Sequence, residues 1–204
     1  MMLTFGSICV SLLVPGKSKD NFESGMSSVK VNGKDFELCI PASIIEDTVL
    51  KMAGEINRDY SGKNPLFLAI LNGSFVFAAD LLRKITIPCQ ISFVKFASYS
   101  GTASTGAVKE VLGLNEDIRG RHVVIIEDIV DTGITLDLLL KDLQKYEPAD
   151  IRLACFTFKK EAFQKTFHID YLGLTISNDF IVGYGLDFDG YGRNLPDIYK
   201  VVSS

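Results

Sequence analysis

The chain has 204 residues, a formal net charge of -4, 47% hydrophobic residues and 23% charged residues. This length and composition are typical of one soluble domain with a sizeable core and, at most, a small appended lobe. The acidic balance argues against a protein that mainly binds a nucleic acid or an anionic membrane, although local backbone dipoles hold phosphate ligands at any net charge.

Two features of the chain bear on its location. Residues 1–25 begin with the apolar stretch MMLTFGSICVSLLVPG, which has no basic n-region and is too short to span a bilayer. We therefore disfavour a secretory signal and interpret residues 1–25 as a poorly ordered extension.

The cysteines, Cys9, Cys39, Cys89 and Cys155, are scattered with no CxxC spacing, which argues against a zinc site or a redox pair. We expect reduced thiols and a cytoplasmic protein.

After the extension, the chain predicts a hairpin and then a helix. The segment VKVNGKDFELCI reads as two short strands around Asn32 and Gly33, a pair suited to a tight turn. Ser43 and Glu46 fit a capping box, and apolar residues follow at helical spacing, so a helix is predicted to run to about Tyr60.

The middle of the chain alternates apolar strands with helices. Strands are predicted at Pro65–Leu71, Gln90–Ser98, Val123–Ile126 and Ile151–Phe158, with a helix after NGS and another from about Thr135 to Lys145. Apolar strands separated by helices indicate a parallel sheet covered on both faces. In such a sheet, ligands bind beyond the carboxyl ends of the strands, so functional residues are expected there.

The texture changes after Lys165 to short strands and loops without an obvious helix. We therefore predict one domain over residues 26–204, with a small β-rich lobe built from about 26–40 and 170–204. The hairpin near residue 30 is expected to share a sheet with the C-terminal strands.

The turn in DIVDTGIT is the most informative local pattern. Gly133 can adopt a positive φ, and successive N–H groups entering a helix form an anion cradle suited to a phosphate monoester. Two adjacent carboxylates ahead of it, Glu127 and Asp128, suit ribose hydroxyls with Mg²⁺ nearby. The alternative is an ordinary capping turn with solvated acids at the end of a strand.

The longer string VVIIEDIVDTGIT resembles the phosphoribosyl diphosphate (PRPP) signature of the type I phosphoribosyltransferases. The chain from about Val29 to Val202 is similar to the hypoxanthine-guanine branch of that family. The resemblance implies the type I fold, an α/β protein whose mostly parallel twisted sheet is flanked by helices and covered by a small β-rich hood. It also implies Mg²⁺-dependent purine salvage, in which the 5-phosphoribosyl group of PRPP passes to N9 of hypoxanthine or guanine and pyrophosphate leaves.

The resemblance also assigns roles around the turn. Glu127 and Asp128 would hold the ribose hydroxyls and help to position Mg²⁺, and Asp131, beside N7 of the purine, would be the general base. The 5′-phosphate loop comprises Ile129, Val130, Asp131, Thr132, Gly133, Ile134 and Thr135.

Other segments would complete the site by the same resemblance. Pyrophosphate would be bound by a loop after the first core strand, by a glycine- and serine-rich loop that closes over the site, and by a C-terminal arginine: Leu71, Asn72, Gly73, Ser98, Tyr99 and Arg193. Many family members carry Lys or Arg where this chain has Asn72. The purine would be bound by Lys159, or by its neighbour Lys160, and by Phe180, Ile181 and Asp187, of which Asp187 would also approach a second Mg²⁺.

Two rival functions stay open at this point. A regulator that binds PRPP without catalysis would keep the fold, but it needs a basic face or a DNA-binding domain that the sequence does not supply. Xanthine is an alternative acceptor, whereas adenine is disfavoured because a lysine ammonium would face its amino group. The resemblance implies a homodimer or a homotetramer with PRPP, hypoxanthine and guanine as its small-molecule partners, while the acidic balance predicts no nucleic-acid or membrane partner.

Overall fold

The structure, a computed structural model, describes residues 27–97, 109–114 and 116–202, and the predicted extension at residues 1–25 lies outside them. The elements are β1 (Ser28–Val31), β2 (Lys34–Ile40), α1 (Ala42–Asp59), β3 (Leu66–Leu71), α2 (Phe75–Leu82), β4 (Gln90–Ala97), β5 (Lys109–Leu112), β6 (His122–Val130), α3 (Ile134–Gln144), β7 (Asp150–Lys159), β8 (Tyr171–Ile176), β9 (Ile181–Val182) and β10 (Ile198–Val201). No helix in these ranges is long and apolar enough to cross a bilayer.

The main sheet has six strands in the order β5-β4-β3-β6-β7-β8. All neighbours pair in parallel except β5, which runs antiparallel to β4 at the edge. The predicted parallel sheet is confirmed, whereas β5 was not predicted. Because the parallel strands end at one edge, the loops that follow β3, β6 and β7 lie together there.

Helices cover both faces of this sheet, as the apolar runs predicted. On one face α1 and α2 pack against Phe67, Val124 and Phe156. On the other face α3 packs against residues that alternate with these, such as Val123 and Ile125. Successive residues of β6 therefore point into two different cores, as strand geometry requires.

The start of α1 differs from the prediction. The helix begins at Ala42 after Pro41, and no side-chain hydrogen bond caps it locally, so the capping box of Ser43 and Glu46 was wrong. Instead, the carboxylate of Asp197 accepts a hydrogen bond from the N–H of Ala42 at 2.6 Å. A distant buried acid thus replaces the expected local cap.

A second, four-stranded antiparallel sheet forms the hood, in the order β1-β2-β10-β9. The predicted hairpin is confirmed, with Asn32 and Gly33 both at positive φ between β1 and β2. The predicted boundary near residue 170 was wrong, because β8 pairs with β7 and extends the main sheet. The hood therefore takes its C-terminal strands only from Ile181 onward.

Candidate active site

Strand β6 separates its two acids onto opposite faces of the sheet. The strand does not stop at Ile126 as predicted but pairs with β7 as far as Val130. Because side chains alternate along a strand, Glu127 continues the face that α3 covers, and Asp128 continues the face toward Gly73. The hydroxyl of Thr157 fixes this end of the strand by donating to the carbonyl of Asp128 at 2.8 Å.

The turn after β6 has the backbone geometry that the predicted anion cradle requires. Gly133, at φ +76°, is the N-terminal flanking residue of α3 and has no side chain with which to cap the helix end. The N–H of Ile134 makes a long hydrogen bond to Thr132 Oγ1 at 3.4 Å. A cavity of about 170 Å³ is lined by Glu127 and residues 129–136. Free amides at a helix N-terminus make this cavity suited to a phosphate group.

Burial changes the ionisation of both acids. Burial, and then the charge of Asp128, raise the pKa of Glu127 well above its ordinary value. Although the residue is partly exposed, its Oε2 atom is buried and has no hydrogen-bond partner among the described residues. Burial also raises the pKa of Asp128 to about 6, while backbone N–H groups and Arg193 act in the opposite direction. Both carboxyls are therefore poised to receive a hydroxyl or a cation.

The loop after β3 lies directly against Asp128. The Leu71–Asn72 peptide is cis, and a Cβ at Gly73 would overlap the carboxylate of Asp128. Ser74 does not cap α2, because its hydroxyl donates back to the carbonyl of Ile70 at 2.6 Å. Only glycine allows this approach, so the loop and the end of β6 form one wall of the site.

The hood supplies a charged pair to the same wall. Arg193 Nη2 lies 2.6 Å from Asp187 Oδ1, and Arg193 Nη1 donates to the carbonyl of Gly185 at 2.7 Å. Both charges act on Asp128, Arg193 by lowering its pKa and Asp187 by raising it. A larger cavity of about 510 Å³ lies behind Arg193, between α1, α2 and the hood. It is lined neither by Lys159 nor by the turn of residues 131–136, which we call the phosphate turn, so we assign no chemistry to it.

The end of β7 brings a lysine to the turn. Lys159 is only 8% exposed, and its Nζ lies 3.5 Å from Asp131 Oδ2. Lys160 is exposed, so the geometry favours Lys159 over its neighbour as a ligand-binding residue. A buried ammonium paired with a half-exposed carboxylate can donate to a carbonyl oxygen while the carboxylate accepts a proton.

The hood carries an exposed aromatic side chain just before β9. Phe180 is 45% exposed, and its ring packs edge-on against Phe188 with centroids 5.7 Å apart. Ile181 is buried in β9 and pairs with Lys200 of β10. An exposed ring face held by a second aromatic side chain is suited to stacking on a planar ligand.

Among the described residues, Asp128 lies with Gly73, Arg193 and Asp187, while Lys159 lies with Asp131 at the turn. Ser98 and Tyr99 lie outside the described residues. Sequence reasoning missed Thr157, which anchors β6, and Gly185, whose position would bring a Cβ into the carbonyl of Gly73. A hydroxyl within the apolar run of β7 was the available signal for Thr157, whereas nothing local pointed to Gly185.

No three acidic, histidine or cysteine side chains among the described residues converge as a ready metal site. Mg²⁺, however, is commonly held by one or two carboxylates together with substrate phosphates and water. The charge of Asp187 acts on Asp128, and Glu127 has a buried oxygen without a hydrogen-bond partner among the described residues. This donor set fits a cation that arrives with a phosphorylated substrate.

The fold and the site together define an α/β protein with a turn suited to a phosphate group at the carboxyl edge of its sheet. The phosphoribosyl transferase domain family matches residues 41–189. Hypoxanthine-guanine phosphoribosyltransferase of Aquifex aeolicus is 36% identical over 174 residues, covering 84% of this chain and 98% of that protein. Hypoxanthine-guanine-xanthine phosphoribosyltransferase of Tritrichomonas foetus is 38% identical over 156 residues, covering 76% and 85%.

A solved structure agrees with these relatives. The crystal structure of a hypoxanthine-guanine phosphoribosyltransferase from Bacillus anthracis superposes with a TM-score of 0.78 at 34% identity, covering 85% of this chain and 100% of that one. The chain belongs to the hypoxanthine-guanine phosphoribosyltransferase family.

Proposed function

We propose that the protein salvages purines by transferring the 5-phosphoribosyl group of PRPP to N9 of hypoxanthine or guanine, with release of pyrophosphate. The observation that carries this proposal is the pair of Lys159 and Asp131, 3.5 Å apart at the rim of the phosphate turn. The pair brings a base-recognition group at the end of β7 to the phosphate cradle that follows β6. A protein that only sensed PRPP would have no need of it.

The purine is recognised by complementary hydrogen bonding and stacking. The ammonium of Lys159 donates to the 6-oxo group, and Phe180 stacks on the ring from the hood. Lysine has three donors and no acceptor, so the 6-amino group of adenine would meet an unfavourable partner. The backbone at Ile181 and the carboxylate of Asp187 lie along the opposite, exocyclic edge of the base.

PRPP is held at both ends. The phosphate turn binds the 5′-phosphate, while Glu127 and Asp128, near the carboxyl end of β6, accept hydrogen bonds from the ribose hydroxyls. The loop of Leu71, Asn72 and Gly73 binds pyrophosphate with Arg193. Ser98 and Tyr99 are assigned to pyrophosphate on the family resemblance. Because Asn72 is neutral, Arg193 supplies positive charge that side chains of this loop lack.

The reaction needs a proton acceptor and protection from water. Asp131 accepts the purine proton as the bond from N9 to the ribose carbon forms and the bond to pyrophosphate breaks. Donors placed where charge develops stabilise the transition state, so electrostatic positioning carries most of the rate. When bound, Mg²⁺ would neutralise pyrophosphate charge, with Asp128 and Asp187, and Glu127 from the ribose side, as its candidate protein ligands.

We also propose a cytoplasmic homodimer or homotetramer. The described cysteines, Cys39, Cys89 and Cys155, are free, which supports a reducing compartment. Light scattering of the purified chain measures its oligomeric state directly. A monomer at micromolar concentration would contradict the assembly without affecting the proposed reaction.

The decisive experiment is a PRPP-dependent assay with hypoxanthine, guanine, xanthine and adenine that follows pyrophosphate release. We expect turnover with the first two and none with adenine. Preference for xanthine would move the function toward that of the Tritrichomonas foetus relative. Silence with all four bases, with PRPP still bound, would favour the regulator.

A further inference from the structure

The segment of residues 160–167, directly after β7, packs against the phosphate turn. The N–H of Ala162 donates to the carbonyl of Lys159 at 3.1 Å, which starts the segment directly after the base lysine. The ring of Phe163 packs edge-on against Phe167 and against Phe158, with centroids 5.0 and 5.2 Å apart. These rings belong to the core face that α3 covers, so the segment is a packed element.

Gly133 lies directly on these rings. A Cβ built on Gly133 would come within 2.7 Å of Phe163 Cε2 and 3.1 Å of Phe167 Cζ. Side chains pack at longer distances than these, so the two rings fill the space under the turn. The ring of Phe163 therefore limits how closely the backbone of Gly133 can approach the core.

The backbone of the segment also orients one peptide of the turn. The N–H of Gln164 donates to the carbonyl of Thr132 at 3.1 Å. In a trans peptide, the C=O and the next N–H point in opposite directions. This bond therefore directs the N–H of Gly133 away from the segment and leaves it free for an anion.

An ion pair joins the segment to the first turn of α3. Lys165 Nζ lies 3.7 Å from Asp137 Oδ2, and Lys141 Nζ lies 2.8 Å from the same oxygen. A carboxylate at a helix N-terminus would repel a second anion bound there. Two lysines neutralise it, so the segment supports phosphate binding through charge as well as through packing.

We propose that Phe163 is a positioning residue for the 5′-phosphate, acting through Gly133 and together with the N–H of Gln164. The identity of the phosphate ligand rests on the proposed function. Without the ring, the backbone of Gly133 can move toward the core, and its N–H no longer points at the phosphate. One lost hydrogen bond to a charged phosphate weakens binding about tenfold.

The test uses the full chain with the graded variants Phe163→Leu, Phe163→Val and Phe163→Ala. The control is Ile169→Ala, which truncates a partly buried residue packed against the same core. Calorimetry measures the affinity for ribose 5-phosphate, GMP and pyrophosphate, and kinetics measures KM for PRPP apart from kcat. Phe163→Ala is expected to weaken ribose 5-phosphate and GMP about tenfold, raise KM more than it lowers kcat, and leave pyrophosphate unchanged within about twofold.

The Phe163→Leu variant should keep most of the affinity for ribose 5-phosphate and GMP, and the Ile169→Ala control should keep all of it. Equal weakening of GMP and pyrophosphate, or the same loss with Ile169→Ala, would overturn the positioning role. Should Phe163→Ala not fold, Phe163→Val carries the comparison, and equal affinities in the valine and leucine variants would overturn it. If ribose 5-phosphate binding responds as expected but no purine is transferred, the positioning role stands and the proposed function fails.

Discussion

Asp128 stands at the junction of three segments of the site. Its carboxylate contacts Gly73 in the loop after β3, and its pKa depends on the charges of Arg193 and Asp187 in the hood. Without a ligand, burial disfavours its charged form and raises its pKa from 3.8 to about 6. The residue that prepares the site for a sugar hydroxyl or a cation therefore costs stability when the site is empty.

Asp128→Asn should stabilise the ligand-free protein at pH 7.5. The folded state binds the proton more tightly than the unfolded state, so wild-type stability falls as pH rises from about 4 to 6. Asparagine removes that buried charge, so the variant should gain about 1–3 kcal/mol at pH 7.5 and much less at pH 5. Urea unfolding with EDTA measures both values. Asp47→Asn on the exposed face of α1 is the control, and a less stable Asp128→Asn at pH 7.5 would contradict the argument.

Asp131→Asn tests the proton acceptor. Asparagine keeps a hydrogen-bonding oxygen near Lys159 but does not accept a proton. We expect kcat to fall about 100-fold or more, while KM for PRPP changes by less than about threefold, because general-base catalysis typically contributes that much. Steady-state kinetics with hypoxanthine and guanine give both constants. Unchanged turnover would remove Asp131 from the chemistry.

At the scale of elements, the hood and α1 share a cap. Asp197, which is buried, accepts from the N–H of Ala42 with one oxygen and from the hydroxyl of Tyr199 with the other. The negative charge also lies at the N-terminus of an 18-residue helix, where the helix dipole favours it. The same contact therefore satisfies a helix end and holds the hood on the main sheet.

Asp197→Ala should lower the free energy of unfolding by about 1–3 kcal/mol, because it removes a charged cap and leaves the Tyr199 hydroxyl without its buried acceptor. Asp197→Asn keeps an acceptor and should lose less. Ser43→Ala, which removes the cap predicted from sequence, should change stability by less than about 0.5 kcal/mol. Urea unfolding of the three variants decides between the caps. A larger loss in Ser43→Ala than in Asp197→Ala would restore the local cap.

The elements also show which features a sequence reveals. The apolar run of β6, the Asn32-Gly33 hairpin and the DTG turn are local patterns, and each lies where it was predicted. The cap of α1 was missed because its acid is 155 residues away in sequence. Glu127 and Asp128 were expected to face the same ligand because the predicted strand stopped at Ile126. Its continuation to Val130 sets them on opposite faces.

At the scale of the molecule, the site is shared between two sheets. The main sheet carries the phosphate turn and Lys159, while the hood carries Phe180, Asp187 and Arg193. Gly185 packs on the carbonyl of Gly73, and the hydroxyl of Tyr184 donates to Asp80 of α2 at 3.1 Å. A ligand that touches both sheets should therefore stabilise both, whereas a fragment that touches one should not.

Hydrogen exchange with GMP and with ribose 5-phosphate tests this division. Ribose 5-phosphate should slow exchange in the phosphate turn, because its phosphate is proposed to contact only the main sheet. GMP carries the same phosphate and a base that is proposed to stack on Phe180, so it should also slow exchange in residues 180–193 of the hood. A ligand that binds only the folded form of a segment makes local unfolding of that segment rarer, and hydrogen exchange there becomes slower. Equal protection of the hood by both compounds would show that the phosphate alone orders it, and protection of the turn alone by GMP would remove the hood from base binding.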